Sequence, residues 1–197
     1  MKTVGVVLAG GLSSRYGSPK AFAKWNGFYF YELAMNVLAP YCDEVVIVTR
    51  PELAGKFDHT LRVVTDLAEV AGEGPLAGIL SGMDAVDADR YIVLPCDMPF
   101  MTSEVIARLV ERHESAVTAV VQEGKLHPLV SVWSGKAKVE LLSALESGQR
   151  KVMKVQEKLG VKWIEGITLS DNPQHVLKNV NTPDILRGVD LDESDCR

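Results

Sequence analysis

The stretch that most narrows what this chain can fold into is its start. Val4-Gly5-Val6-Val7-Leu8 is an apolar run that reads as a buried strand, and it opens directly into Ala9-Gly10-Gly11-Leu12-Ser13-Ser14-Arg15-Tyr16-Gly17-Ser18-Pro19-Lys20. Gly10, Gly11 and Gly17 let backbone N–H groups approach an anion closely, while Arg15 and Lys20 supply charge to neutralise it. The loop therefore suits phosphate. For Gly10-Gly11 alone a tight turn is an equal alternative, and the spacing of Arg15 and Lys20 tips the balance toward a phosphate cradle.

The rest of the chain repeats the strand-then-helix theme. Apolar spacing predicts a helix from about residue 28 to Leu38, closed by Pro40. Glu44–Thr49 and Leu61–Thr65 are β-branched runs that read as strands, and Tyr91–Pro95 is a further one. Between them, Gly72-Glu73-Gly74-Pro75-Leu76-Ala77-Gly78 enters a helix lasting to about Val86, with Pro75 suited to the first turn. A helix over about 102–114 carries the apolar stripe Val105, Ile106, Leu109 and Val110. Strands at 116–121 and 129–133 flank Glu123-Gly124-Lys125; helices at 136–147 and 152–159 follow, then a late strand at 161–164. Thr182-Pro183 opens a last short helix.

Such alternation predicts an α/β fold: a Rossmann-like three-layer sandwich with a mostly parallel, mixed central sheet. No linker divides the chain, so residues 1–189 are expected to form one domain, with 190–197 a polar, acidic tail. In open α/β sheets ligands sit at the carboxyl ends of the strands. The glycine loop, Asp66 after the third strand and Asp97 after the fourth would all gather at that edge.

Composition narrows the function further. With 26 acidic against 21 basic residues the formal net charge is −5, which disfavours binding nucleic acid through a basic surface. Cys42, Cys96 and Cys196 form no C-x-x-C pair, so a disulfide framework or structural zinc site is not expected. No run approaches the ~20 apolar residues of a membrane span, and no signal sequence is evident. A cytoplasmic protein is expected. The glycine spacing matches neither a Walker A loop nor a G-x-G-x-x-G fingerprint, and no H-E-x-x-H or G-x-S-x-G occurs.

Asp97, two residues past an apolar strand, is placed either to hold Mg²⁺ together with substrate phosphates or to cap a turn before the next helix. Asp66 is equally open between a ribose or base contact and a strand terminator. His59 and His113 read as surface residues. Trp25, Trp133 and Trp163 read as core or rim, and Cys96 as a packing residue.

Leu8-Ala9-Gly10-Gly11-x-Ser13-x-Arg15-x-Gly17-x-x-Lys20 resembles the signature loop of nucleotidyltransferases that join an NTP to a phosphorylated acceptor. Adding Gly74-Pro75-Leu76-Ala77-Gly78, Cys96-Asp97-Met98-Pro99-Phe100 and Asn179-Val180-Asn181-Thr182-Pro183, the chain most resembles the molybdenum cofactor guanylyltransferases, in four segments in the right order.

The resemblance implies a fold of the nucleotide-diphospho-sugar transferase type and a set of contacts. Leu8, Ala9, Gly10 and Gly11 would line the nucleotide, with Lys20 and Arg15 at its phosphates. Asp66, Gly74 and Gly78 would form the guanine and ribose pocket, and Asp97 would hold Mg²⁺ and touch the nucleotide. Asn179 and Asn181 would face the acceptor, with His127 and Arg150 as further candidates; His127 is equally well read as structural. The implied reaction joins GMP from GTP to the terminal phosphate of molybdopterin and releases pyrophosphate. Protein partners would be other cofactor-biosynthesis or cofactor-accepting proteins, and the chain a monomer or weak oligomer.

Two alternatives stand beside this reading: a CTP-using sister transferase, and a silent nucleotide-binding adaptor. The cytidylyl relatives usually read Leu-Ala-Ala-Gly, so Gly10 favours guanine, and the combination of Arg15, Lys20 and Asp97 argues against silence. Sugar-phosphate transferases usually carry an additional domain, for which 197 residues leave little room. At Thr49-Arg50 some family members carry an Asn that helps hold the nucleotide; whether Thr49 replaces that contact is open.

Overall fold

A computed structural model describes residues 1–11 and 16–186. The strand β1 (Thr3–Leu8) is followed by a small hairpin, β2 (Lys24–Trp25) and β3 (Phe28–Tyr29), and then by α1 (Phe30–Leu38). Next come β4 (Glu44–Thr49), α2 (Pro51–Ala54), β5 (Arg62–Thr65), α3 (Pro75–Ala85), β6 (Arg90–Pro95) and α4 (Ser103–Glu111). The second half adds β7 (Val117–Gln122), β8 (Lys125–Ser134), α5 (Lys138–Glu146), α6 (Val152–Lys158), β9 (Lys162–Glu165) and α7 (Pro173–Val176).

Seven strands form one mixed sheet in the order β5-β4-β1-β6-β8-β7-β9. β1 runs parallel to β4 and β6, and β5 parallel to β4. β8 is antiparallel to β6 and β7, and β9 is parallel to β7. This is the three-layer, mostly parallel mixed sheet that the alternation of patterns predicts. The chain builds outward from β1 through β4 to β5, then returns to lay β6 on β1's other side. A crevice therefore opens at the carboxyl ends of β1 and β6, where connections leave in opposite directions.

The central strands are apolar on both faces, and successive residues feed opposite layers. Val7, Ile47, Ile92 and Leu94 face one layer with Leu38, Ile106 and Leu109 from α1 and α4. Val6, Val46, Val48, Tyr91 and Val93 face the other, with Leu76, Leu80 and Met83 from α3 and Leu141 from α5. Tyr91 is fully buried, and its hydroxyl is satisfied: it accepts from Ala88 N at 2.9 Å and lies 2.7 Å from Val86 O, fixing the end of α3 over β6.

Two expectations need adjusting. The first helix begins at Phe30, because Asn26 (φ 49°) and Gly27 (φ 86°) make a tight turn that pairs Phe28 with Trp25. Asn-Gly is the strongest short hairpin signal, and the helical period of the following residues masked it. β8 starts at Lys125 rather than 129, since Glu123 and Gly124, both at positive φ, make a two-residue turn that lets Gln122 pair with Lys125. The short helices α2 and α7, four residues each, are too short to show a helical period; each starts with a proline in its first turn. The acidic tail 190–197 lies outside the described residues.

Gly82 shows how closely α3 sits on the sheet: a Cβ there would lie 2.6 Å from Val6 Cγ1. Valine is stiff at χ1 and cannot swing aside. Gly82→Val is expected to destabilise the fold by about 1–3 kcal/mol, lowering the thermal midpoint by roughly 2–12 °C. An unchanged melting curve would mean that α3 and β1 are less tightly apposed than described.

Candidate active site

A cavity of about 580 Å³ opens at the carboxyl ends of the parallel strands. Leu8, Ala9, Gly10 and Gly11 line it from the end of β1, Thr49 and Arg50 from β4, and Asp66 from β5. Lys20, Cys96, Asp97 and Asn179 close the β6 side. The end of β1 is pinned on both flanks: Ala9 N donates to Val48 O at 2.8 Å, and Cys96 N to Leu8 O at 3.1 Å. Sheet register thus sets where the glycine loop begins.

Four predicted site residues meet across the crevice. Lys20 Nζ lies 2.8 Å from Asp97 Oδ2 and 2.8 Å from Asn181 Oδ1, and Asn179 Nδ2 donates to Asp97 Oδ1 at 3.0 Å. Between the asparagines, Val180 N donates to Asp97 O at 2.8 Å, and the Val180 side chain is fully buried. The C-terminal segment is therefore strapped to the end of β6 by main chain and side chains together. Lys20 and Asp97 keep only 15% and 20% side-chain exposure, so their charges are partly desolvated and strongly directed at one another.

The other side of the cavity is built from a loop. Asp66 Oδ2 accepts from Gly72 N at 3.1 Å, so this carboxylate both lines the cavity and closes the turn after β5. Gly72 (φ 77°) and Gly74 (φ 80°) hold left-handed backbone that other residues resist, and Gly74 begins α3. Gly78 faces Leu8: a Cβ added to this glycine would lie 3.1 Å from Leu8 Cδ2, so a larger residue there would require Leu8 to give by a few tenths of an ångström. At Gly10 the nearest atoms to a Cβ would be 3.6 Å away, on Arg50. The scaffold would admit alanine there, so glycine at this position is not a demand of the fold.

The fourth wall comes from β8. Its ladder with β7 jumps from Ala119–Ser131 to Val120–His127, and Pro128, which has no N–H to donate, sits in the break. The bulge puts His127, Pro128, Leu129 and Val130 against the cavity. Gln156 of α6, fully buried, braces it by donating from Nε2 to Pro128 O at 2.8 Å.

Comparison with known proteins agrees with this fold. The family model for the MobA-like NTP transferase domain matches residues 5–161. The chain belongs to the MobA-like NTP transferase family. It is thus a nucleotidyltransferase. A Bacillus cereus protein named "Probable molybdenum cofactor guanylyltransferase" is 34% identical over 185 residues, 92% of each chain. A Bacillus mycoides protein of the same name matches at the same identity and coverage. Among solved structures, molybdopterin-guanine dinucleotide biosynthesis protein A from Archaeoglobus fulgidus superposes with a TM-score of 0.79 at 25% identity, covering 98% of this chain and 99% of that one. The fold alone is also shared with 2-C-methyl-D-erythritol 4-phosphate cytidylyltransferase from Thermus thermophilus, at a TM-score of 0.66 and 16% identity over 92% of this chain and 94% of that one.

For this MobA-like chain, Arg15 lies outside the described residues. Thr49 is 2% exposed, and its hydroxyl donates to Ala9 O at 3.3 Å, which leaves it holding the β1 loop. Arg150 does not line the cavity; its guanidinium pairs with Glu73, between the two lining glycines Gly72 and Gly74. His127 is buried in the cavity wall. His113, expected on the surface, is half-buried, with Nδ1 3.0 Å from Thr118 Oγ1. Cys96 is buried and its thiol is pushed up to about 12 by desolvation, as suits a packing residue. Sequence reasoning passed over Arg50, Lys125 and the bulge at Pro128, all in the wall. Pro128 inside an otherwise strand-like run was the one available signal.

Two outcomes follow from these contacts. The hydrogen bond from Arg150 holds the Glu73 carboxyl below its ordinary range, so the contact persists at neutral pH and is lost as acid protonates Glu73 below that range. Arg150→Met is expected to raise amide hydrogen exchange over residues 71–74 at pH 7, and wild-type protein to show the same loosening only in acid. Equal protection in both proteins at pH 7 would remove Arg150 as the anchor. Burial, reinforced by Arg90 at His113 and Lys125 at His127, lowers both imidazole pKa values. The stability tied to their neutral forms is present above about pH 6.5, the unfolded value, and is lost as pH falls toward the lowered folded values. The thermal midpoint is expected to drop between pH 7 and 5, and less steeply in a His113→Asn/His127→Asn protein; identical slopes would exclude the histidines as the cause.

Proposed function

We propose that this chain is a molybdenum cofactor guanylyltransferase, transferring GMP from GTP to the terminal phosphate of molybdopterin with release of pyrophosphate. The observation that carries the reading is the Lys20–Asp97 pair, held by Asn179 and Asn181 beside a glycine-lined cavity. The names of the Bacillus and Archaeoglobus relatives support guanine as the base and molybdopterin as the acceptor.

In the proposed reaction an oxygen of the acceptor phosphate attacks the α-phosphorus of GTP. The new O–P bond forms as the bond to the β-phosphate oxygen breaks, and that electron pair leaves on pyrophosphate. A phosphate monoester, with its second pKa near 6, is already ionised at neutral pH. No base has to remove a proton, and the high thiol pKa of Cys96 offers no nucleophile to compete. The task left to the protein is to bring together two polyanions that repel one another, through position and charge. Lys20 is held at the crevice by Asp97 and Asn181 and turns its ammonium to the nucleotide's phosphates. Arg15 adds a second cation, and the backbone of Gly10 and Gly11 the close approach. Asp66, Gly74 and Gly78 receive the ribose and base. Asn179 and Asn181, while positioning the charged pair, present amides toward the acceptor phosphate.

The donor set also fits the metal that the family resemblance implies. No group of three or more His, Cys, Asp or Glu residues that could cage an ion exists among the described residues. Mg²⁺ needs no such cage, since it keeps waters and takes one or two carboxylates plus substrate phosphates, and Asp97 with the phosphates of GTP would hold it. When bound it neutralises charge on those phosphates.

Radiolabelled GTP and CTP offered with molybdopterin and Mg²⁺ test the reading. Label from GTP should enter the pterin product with stoichiometric pyrophosphate. Preference for CTP would overturn the guanine assignment, and nucleotide binding without pyrophosphate would favour an adaptor. Lys20→Ala and Asp97→Ala should each reduce transfer by about 10²-fold or more while the far-UV spectrum stays native. Near-wild-type transfer by either variant would show the site to be misplaced.

A further inference from the structure

Arg50 is a cation in the cavity wall to which the proposed reaction gives no part. It leaves the end of β4, the strand lying between β1 with its glycine loop and β5 with Asp66. Its stem is laid over Gly10: a Cβ on that glycine would sit 3.6 Å from Arg50 Cγ and 3.7 Å from Arg50 N. Nη1 pairs with Glu52 Oε1 at 2.7 Å, but Glu52 is 60% exposed and Arg50 28%. Such a solvent-screened pair contributes little and is readily exchanged. Nε, in contrast, is buried and has no acceptor. A guanidinium only donates hydrogen bonds; with Nε enclosed by the protein, the Nη groups, exchanged from Glu52, are the ones that can donate to an acceptor in the cavity.

We propose that Arg50 reads the base, its guanidinium donating to the O6 and N7 edge of guanine. The inference rests on the GTP reading above and deepens it. Lys20 and Asp97 occupy the crevice on the β6 side of β1, and the phosphates belong with them and with the glycine loop. The space on the β4–β5 side, between Arg50, Asp66 and the Gly72–Gly78 segment, is left for the nucleoside. Guanine offers two adjacent acceptors on one edge, which the planar fork of arginine matches. Cytosine presents its N4 amino donor on the corresponding edge, and adenine an N6 donor beside N7. A donor-only side chain gains with guanine and meets donors on the other two. Arg50 thereby selects for one base against both alternatives.

Binding of GTP, 7-deaza-GTP, ATP and CTP, each with Mg²⁺ and without molybdopterin, tests this by calorimetry on wild type, Arg50→Ala and Arg50→Lys. The deaza analogue replaces the N7 acceptor with carbon. Wild type should bind it at least about 5-fold more weakly than GTP. Arg50→Ala should lose about 5- to 150-fold in GTP affinity, the range of a bidentate guanine contact, while ATP and CTP change by less than about 3-fold. In that variant GTP and its deaza analogue should bind alike. Arg50→Lys keeps the charge and most of the stem over Gly10 but not the fork, and should show the same loss of discrimination. An equal loss across GTP, ATP and CTP would make Arg50 a phosphate or ribose contact and overturn the proposal, as would a deaza penalty that survives in the variants. Wild-type preference for CTP would overturn the guanine reading itself; preference for GTP that persists undiminished in both variants would overturn Arg50 alone.

Discussion

The ion pair between Lys20 and Asp97 spans the crevice between adjacent strands β1 and β6, and the organisation of the site follows from it. The two residues are 77 positions apart, and they meet because the sheet lays β6 against β1 in a register that aligns Leu8 with Pro95. Their partial exposure means that the pair adds little net stability, since desolvation offsets much of the Coulombic gain. What it contributes is position. A lysine on a four-carbon stem has many rotamers, and here a carboxylate and an amide hold its ammonium in one place.

In the proposed transfer, that arrangement makes the site ready before the nucleotide arrives. The C-terminal strap from Asn179 to Asn181 is anchored by the buried Val180 side chain and by its main chain on Asp97. The cost of ordering these groups is borne in folding, so less of it remains for binding, and fixed charges need not reorganise during transfer. The apolar layers on both faces of the sheet are what make this possible. They lock the strand ends, and each loop that carries a functional group starts from a locked end.

Two walls of the cavity are braced differently. On one side the loop of Gly72 to Gly74 is held by Asp66 from β5 and, through Glu73, by Arg150 from the turn before α6. On the other side a bulge at Pro128 is braced by the buried amide of Gln156. The Arg150 and Gln156 braces come from α6 or its approach, a region with no residue in the cavity wall itself. Sequence changes there would reach the site only through these contacts.

The pattern of residues by itself determined the layered α/β fold and the edge of the sheet at which the cavity opens. Apolar runs such as Val4–Leu8 and Tyr91–Pro95 must be covered on both faces, and parallel strands gather their carboxyl ends on one edge, so Lys20, Asp66 and Asp97 were legible as neighbours. The hairpin at Asn26-Gly27 was also written in the sequence, under a helical period that hid it. Tertiary structure alone decided which side chains pair: Asn179 with Asp97, Asn181 with Lys20, Arg150 with Glu73, Gln156 with Pro128. It also turned the Thr49 hydroxyl onto Ala9 and left the Arg50 Nε without an acceptor. Periodicity records which face of an element is buried. The partner a polar group meets depends on strand register and on loops closing over tens of residues, and no local pattern carries that information.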